Sequence, residues 1–326
     1  MGFSIIRDGA RILARFGFFS GHHVHHTLFL KFGPVRFNSS AKSRWLDRQK
    51  NDAFTREAKV LGLRSRAAFK LMEIDDKFRI FKKDSPQCVL DLGYAPGAWS
   101  QVAQDRIGHN GMILGVDILP CTPPRGVSAI QANILSKKTH ELIRLFFCKH
   151  FELYRHDRLH SETGYFHDAN ENDPSRFQQA QEYREIFSSD EYPNLKVALR
   201  NQPLDTILSD MYEPWPQTTG FWNNLTNSAY SRMANTSGLA IRDHVMSMDL
   251  CDAALIAAID LLKPGGSFVS KLYTGEEDEL LEKRMKMVFS TVHRYKPQSS
   301  RNESKELYFV GLKKRSQVDK LRVFSC

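Results

Sequence analysis

The sequence predicts an α/β protein: a mostly parallel, seven-stranded sheet with helices on both faces and an antiparallel final strand. Three observations predict it. From about residue 65 onward, short strand-like apolar runs alternate with helix-length amphipathic ones, the pattern of a parallel sheet with crossover helices. The connection between the last two runs, "PQSSRNESK", is too short for a helical crossover, so those strands should pair antiparallel. The chain has 326 residues, 41% of them hydrophobic and 25% charged, an ordinary composition for a protein able to bury a sizeable core.

The elements follow in order. "SRAAFKLMEIDDKF" reads as a helix from near Ser65, "QCVLDLG" as a strand and "AWSQVAQDRIG" as a helix closed by Gly108. "GMILGVDI" and "SAIQAN" are strands, "KKTHELIRLFF" a helix and "PLDTILSD" a strand. "RDHVMSMDLCDAALIAAIDLLKPGG" is a long helix with Lys263-Pro264-Gly265-Gly266 as its stop signal. "SFVSKLY" is a strand, "EDELLEKRMKMVF" a helix, and "TVHRYK" and "ELYFVGL" the last two strands. From about 149 to 196 the chain is rich in charged, amide and His residues with few aliphatics. It reads as a polar surface insertion with one helix near Arg176 to Phe187, since structureless runs of that length are unusual inside a compact domain.

The net charge is +9, of which residues 1–41 carry +4 through Arg7, Arg11, Arg15, Lys31 and Arg36 against Asp8 alone. The first three arginines fall four apart, so a helix would stack them on one stripe. Arg-rich, Ser-containing and nearly free of acid is the composition of a mitochondrial transit peptide. The expectation is a matrix protein, with 1–41 removed and 42–326 forming one domain. His22, His23, His25 and His26 lie in the segment to be removed and are incidental. Five scattered cysteines without a CxxC pair argue for a reducing compartment and against a disulfide framework or a metal site. No run reaches the roughly 18 apolar residues of a membrane span. The remaining +5 is a mild excess consistent with an RNA partner.

The informative stretch is "CVLDLGYAPGAWSQ". Ligands of doubly wound sheets sit at the carboxyl ends of strands, near the topological switch point. Gly93 and Gly97 lack Cβ atoms, so backbone can approach a ligand there, and Pro96 stiffens the turn. Asp117 ends the next strand, where a carboxylate can accept both hydroxyls of an adenosine ribose. That spacing suits a dinucleotide or S-adenosylmethionine. The fingerprint G-x-G-x-x-G is absent. Asp91 would repel a pyrophosphate and attract an amino group or sulfonium, so the methyl donor is favoured. Four further residues, Lys70, Asp210, Lys271 and Glu306, carry charge at or beside strand ends. A lysine in an otherwise apolar strand, as Lys271 is, is costly unless its amine emerges in a site or pairs with an acid.

In "RSRAAFKL", "DLGYAPGAWSQ", "LSDM", "KPGGSFVSKLY" and "SSRNESKELYFVG" the chain resembles the FtsJ/RrmJ-like RNA ribose 2′-O-methyltransferases from Arg64 to Leu312. The resemblance implies a Rossmann-like S-adenosylmethionine-dependent methyltransferase fold and a Lys-Asp-Lys-Glu tetrad at Lys70, Asp210, Lys271 and Glu306, with Lys271 as proton acceptor. It implies a donor site formed by Asp91, Gly93, Pro96, Gly97, Ala98, Trp99, Asp117, Asn133 and Asp210. It also implies 2′-O-methylation of a uridine in mitochondrial large-subunit (21S-type) rRNA or a pre-ribosomal particle, by a monomer that does not act on DNA. The sequence departs from the family at Tyr94 and Ala98, where Ala and Gly are usual and which should narrow the loop. It departs also at Asn133, in place of an Asp, and at Tyr212-Glu213-Pro214, in place of Ala-Pro. Arg64, Arg66, Lys70 and Trp45, in a basic stretch before and around the first tetrad residue, are the candidate RNA contacts. A tRNA ribose methyltransferase and a ribosome-assembly factor with a vestigial donor site are the competing readings.

Overall fold

A computed structural model describes residues 52–108, 111–157, 202–213, 236–237 and 239–325. The expected transit peptide, Trp45 and the helix near 176–187 lie outside them. Seven strands form one sheet: β1 (Cys88–Leu92), β2 (Met112–Asp117), β3 (Ser128–Gln131), β4 (Leu204–Ser209), β5 (Leu262–Tyr273), β6 (Phe289–Tyr295) and β7 (Glu306–Lys314), in the order β3-β2-β1-β4-β5-β7-β6. β1 to β5 pair parallel. β7 runs antiparallel to both β5 and β6, as the short final connection requires. The order reverses between β1 and β4, so the crevice at the switch point lies beyond Leu92 and Ser209.

Helices cover both faces. On one face lie α1 (Ala53–Val60), α2 (Ala67–Phe78) and α3 (Ala98–Arg106), whose Ala58, Ala68, Leu71, Ile74, Val102 and Ala103 pack against Val89, Leu208, Val269, Tyr308 and Val310 of the sheet. On the other lie α4 (Lys137–Asp157), α5 (Ala240–Leu261) and α6 (Asp278–Val288), which bury Ile143, Phe147, Leu255, Leu281 and Met285 against Leu90, Leu92, Ile207, Phe268, Leu272 and Phe309. Strand residues alternate between the two sets, the period of two that a sheet covered on both faces requires. A short α7 (Lys320–Phe324) adds Val323 to the second core.

Three details differ from expectation. Helix α4 continues to Asp157, into the polar stretch, an extension that composition alone does not announce. Helix α5 ends at Leu261, and Lys263 to Gly266 lie within β5 as a bulge, where the partner of Leu204 is Leu262 but that of Thr206 is Ser267. Helix α1 was not legible as an element. Its N-terminus is capped by the Asp52 side chain, which accepts from Thr55 N.

The carboxyl end of α5 is closed by side chains from three other segments. Gln202 Nε2 donates to Ile259 O, an Arg144 guanidinium nitrogen to Asp260 O, and Lys314 Nζ to Ile259 O at 2.6 Å and Leu262 O at 2.5 Å. Lys313, with a φ of 57°, breaks the strand alternation immediately before Lys314. Cations at a helix carboxyl end satisfy orphan carbonyls and oppose the helix dipole. Replacing the buried Lys314 with Met should strand these carbonyls and cost about 1–3 kcal/mol, read as a fall of several degrees in Tm; an unchanged melting curve would show that the cap contributes nothing.

Candidate active site

The turn after β1 is shaped by close backbone approach. Gly93 and Gly97 have φ of 72° and 102°, a region side chains disfavour. A Cβ at Gly93 would lie 2.8 Å from Met211 Cα, and one at Gly97 would lie 2.8 Å from Pro124. The turn is thus wedged between the loops after β4 and β2, with the Ala95–Pro96 peptide cis. Helix α3 begins at once, presenting its first-turn N–H groups beside the crevice. The Tyr94 ring does not stand free in the turn: it is buried against Gly115, and its hydroxyl donates to Cys121 O. The Trp99 indole is also buried, with Nε1 donating to Ala67 O, so toward a ligand Trp99 offers backbone only.

Behind the turn, Asp91 is fully buried. Ser100 Oγ donates to its Oδ2 at 2.6 Å, and Oδ1 has no hydrogen-bond partner. Burial pushes its carboxyl up to about 7; the Ser100 hydrogen bond opposes the shift, and the neighbouring Asp210 and Asp117 add to it. An unpartnered buried carboxylate oxygen beside a glycine turn has the chemistry to accept from a cationic group. Asp117 accepts from Ala95 N through Oδ2 and from Leu119 N through Oδ1, which fixes its rotamer at the end of β2. Asn133, exposed, accepts from Leu135 N through Oδ1. These residues fit a donor with a cationic amino acid end and a ribose.

Lys70, Asp210, Lys271 and Glu306 converge. In the β5–β7 ladder Tyr273 faces Glu306 and Lys271 faces Tyr308, so these four side chains share the sheet face covered by α2, the helix that carries Lys70. Lys70 Nζ lies 2.5 Å from Glu306 Oε1 and 2.7 Å from Oε2. Lys271 Nζ lies 2.8 Å from Asp210 Oδ1 and donates to Asp210 O at 2.8 Å. Lys271 is 3% exposed and Glu306 8%. Burial works against the Lys271 ammonium, but Asp210, then Tyr273 and Glu306, outweigh it and hold the amine protonated. Burial likewise works against the Glu306 carboxylate, and Lys70, Lys271 and the hydrogen bonds from Lys70 and Tyr308 pull it down to about 2.

Sequence reading missed the residues that hold Glu306 in place. Glu73, one turn after Lys70 on α2, accepts from Gln298 N at 2.5 Å and Ser299 N at 2.8 Å. Asp52 is gripped by Arg66 and by Arg301, whose Nη2 lies at 2.9 Å, and Arg66 also donates to Ser299 O. Ser300 Oγ and Tyr308 OH donate to Glu306 Oε1. The loop between β6 and β7 is therefore latched to α2 and to the start of α1 just before it delivers Glu306.

Two candidate RNA contacts are committed elsewhere. One Arg64 guanidinium nitrogen donates to Pro96 O at 2.9 Å and Thr122 O at 2.5 Å, and the other to Pro123 O at 3.0 Å. Arg64 thereby staples the turn after β1 to the loop after β2. Arg66 spans Asp52 and Ser299 and lies over the Phe54 ring.

A switch-point crevice with an acid where a dinucleotide enzyme needs its phosphate cradle is the arrangement of a Rossmann-like methyltransferase. The chain belongs to the FtsJ-like methyltransferases, whose family model matches residues 63–314. It is 63% identical over 298 residues to "rRNA methyltransferase 2, mitochondrial" of Saccharomyces cerevisiae, covering 89% of this chain and 93% of that protein. The protein of the same name from Schizosaccharomyces pombe is 31% identical, covering 86% and 99%. "Ribosomal RNA large subunit methyltransferase E" of Granulibacter bethesdensis is 34% identical, covering 85% and 86%. FtsJ-like methyltransferases in general use S-adenosylmethionine, and the protein is an RNA methyltransferase.

Two outcomes follow from this geometry. The raised carboxyl of Asp91 means that the folded protein holds a proton the unfolded chain has lost between about pH 4 and 7, so stability from this group is lost as pH rises through that window. Asp91→Asn should therefore melt higher than the parent near pH 8 without donor, with the gap closing near pH 4, while binding S-adenosylmethionine more weakly. Calorimetry across pH reads both, and equal melting at both pH values would refute the burial cost. Arg64→Ala should weaken donor binding about tenfold by freeing the turn. It should leave the salt slope of RNA binding unaltered; a flatter slope would return Arg64 to the RNA surface.

Proposed function

We propose that the protein transfers the methyl group of S-adenosylmethionine to the 2′-hydroxyl of a uridine in mitochondrial large-subunit rRNA and thereby supports mitochondrial ribosome assembly. The observation that carries the reading is the buried Lys70–Glu306 and Lys271–Asp210 cluster, opening beside the turn backed by Asp91. The names of the fungal relatives supply the rRNA substrate and the compartment. On this reading residues 1–41 are a matrix-targeting peptide and 42–326 the methyltransferase domain, with a polar insertion near 149–196.

S-adenosylmethionine supplies a methyl group already activated on a sulfonium. The chain must place a poor nucleophile in line with it and remove one proton. Asp91 and Asp210 receive the donor's amino acid end, Asp117 its ribose hydroxyls and Asn133 its adenine, with Gly93 and Gly97 allowing close backbone contact and Pro96 and Ala98 lining the turn. Lys271 is the proton acceptor. It starts as an ammonium and must shed its own proton first, so the reaction is favoured by alkali. Lys70 and Glu306 hold the RNA ribose against it. The requirement for a 2′-hydroxyl confines the substrate to RNA.

Mapping ribose methylation on mitochondrial rRNA with and without the gene tests the substrate, and an unchanged map would end the rRNA reading. For the base, log kcat/KM should rise with pH through the neutral range, by up to about tenfold per unit. Asp210→Asn should move that limb to lower pH even as the rate falls, because it removes the largest charge holding the Lys271 proton. Lys271→Ala should abolish turnover with S-adenosylmethionine affinity kept. A limb that does not move in Asp210→Asn, or near-normal turnover without Lys271, assigns the proton to another group.

A further inference from the structure

Three tyrosine rings surround Lys271, and they differ in one respect. Tyr308 is fully buried and its hydroxyl is spent on Glu306. Tyr273, beside Glu306 in the ladder, is also buried. Tyr212 is partly exposed, and its ring centroid lies 5.5 Å from Lys271 Nζ. Of the three, it alone can meet a molecule arriving from solvent.

The backbone that carries this ring is held firmly. Asp210 N donates to Leu92 O, and Asp210 O accepts from Lys271 Nζ. Met211 packs against Gly93 so closely that a Cβ there would collide with its Cα and Cγ. Tyr212 is the next residue, so its ring stands beside the crevice on a fixed stem. The 5.5 Å separation from Lys271 Nζ lies within the reach of a cation–π contact, about 6 Å.

We propose that Tyr212 is the platform on which the base of the target nucleotide stacks. The proposal rests on reading the site as a 2′-hydroxyl methyltransferase. A 2′-hydroxyl brought to Lys271 Nζ carries its base on the adjoining ribose carbon. The base then falls within the offset stacking range of a ring this near, for which centroid separations run about 4.5–7 Å. Stacking reads no hydrogen-bond edge, so this platform grips any flattened, unstacked base and leaves sequence choice to other contacts. It also selects single-stranded or extruded nucleotides, because a base kept in a helix offers no free face.

The test is a two-by-two cycle on the RNA fragment spanning the ribose that mapping identifies. Wild type and Tyr212→Ala are each assayed on the natural fragment and on one whose target nucleotide keeps its ribose but lacks its base. Tyr212→Ala should raise KM for the natural fragment about ten- to a hundredfold, and Tyr212→Phe should restore it. S-adenosylmethionine affinity should be unchanged in both, which also reports an intact fold; Tyr212→Leu replaces the Ala variant if that one does not fold. On the base-less fragment wild type and variant should be equal. A full Tyr212→Ala loss on the base-less fragment would overturn the proposal. So would a displaced pH–rate limb, which would make the ring a modulator of Lys271 instead. Absence of ribose methylation by wild type on any fragment would refute the 2′-hydroxyl reading itself, before the cycle is run.

Discussion

Two lysines and two carboxylates share one largely desolvated pocket, and the surrounding structure keeps them paired. Removing one member of a buried pair leaves an uncompensated charge, at a cost of about 3–5 kcal/mol. That penalty ties four distant stretches of chain together: helix α2 through Lys70, the end of β4 through Asp210, β5 through Lys271 and the start of β7 through Glu306. The parallel sheet places two of these at neighbouring strand ends, and the antiparallel β7 brings its first residue to that same end. Sheet topology thus decides which charges meet.

The donor side shows the converse economy. Asp91 stays buried with one carboxylate oxygen unmatched, a cost to the free protein that a cationic group placed there would remove. In the four-residue cluster two lysines face two carboxylates, whereas Asp91 forms no ion pair among the described residues. The two halves meet at Asp210, which pairs with Lys271 and raises Asp91 through its charge. A change in the charge of either half is therefore felt in the other.

Much of this was legible in the sequence because it is local. The inner strands announce themselves by apolar runs between turn residues, β3 and β6 by their place in the alternation, and Gly93, Gly97 and Asp117 by spacing along one strand–turn–helix–strand unit. The tetrad was legible by resemblance. What stayed hidden depends on contacts far apart in the chain. Glu73 reads as one more charged residue on a helix, yet it holds Gln298 and Ser299. Arg64 and Arg66 read as phosphate contacts, yet their donors are engaged by backbone carbonyls and Asp52. Helix α1 exposes most of its length and buries only Thr55 and Ala58, so it has little apolar stripe to detect. The stop signal Lys263 to Gly266 was correctly read as a break, but the break falls within a strand as a bulge.

Strand β7 is fastened at both ends by ionised side chains, Glu306 in the tetrad and Lys314 on the last carbonyls of α5. A slip of one residue would turn its side chains to the opposite face. A slip of two would preserve the faces but carry both ends roughly 7 Å from their partners at once. The strand thus has a single permitted register, and a chain that has not found it can complete neither the helix terminus nor the charge cluster. Misaligned pairing of the final hairpin is penalised at two distant places together, so correct alignment of β7 makes assembly of the charge cluster and closure of α5 one cooperative event.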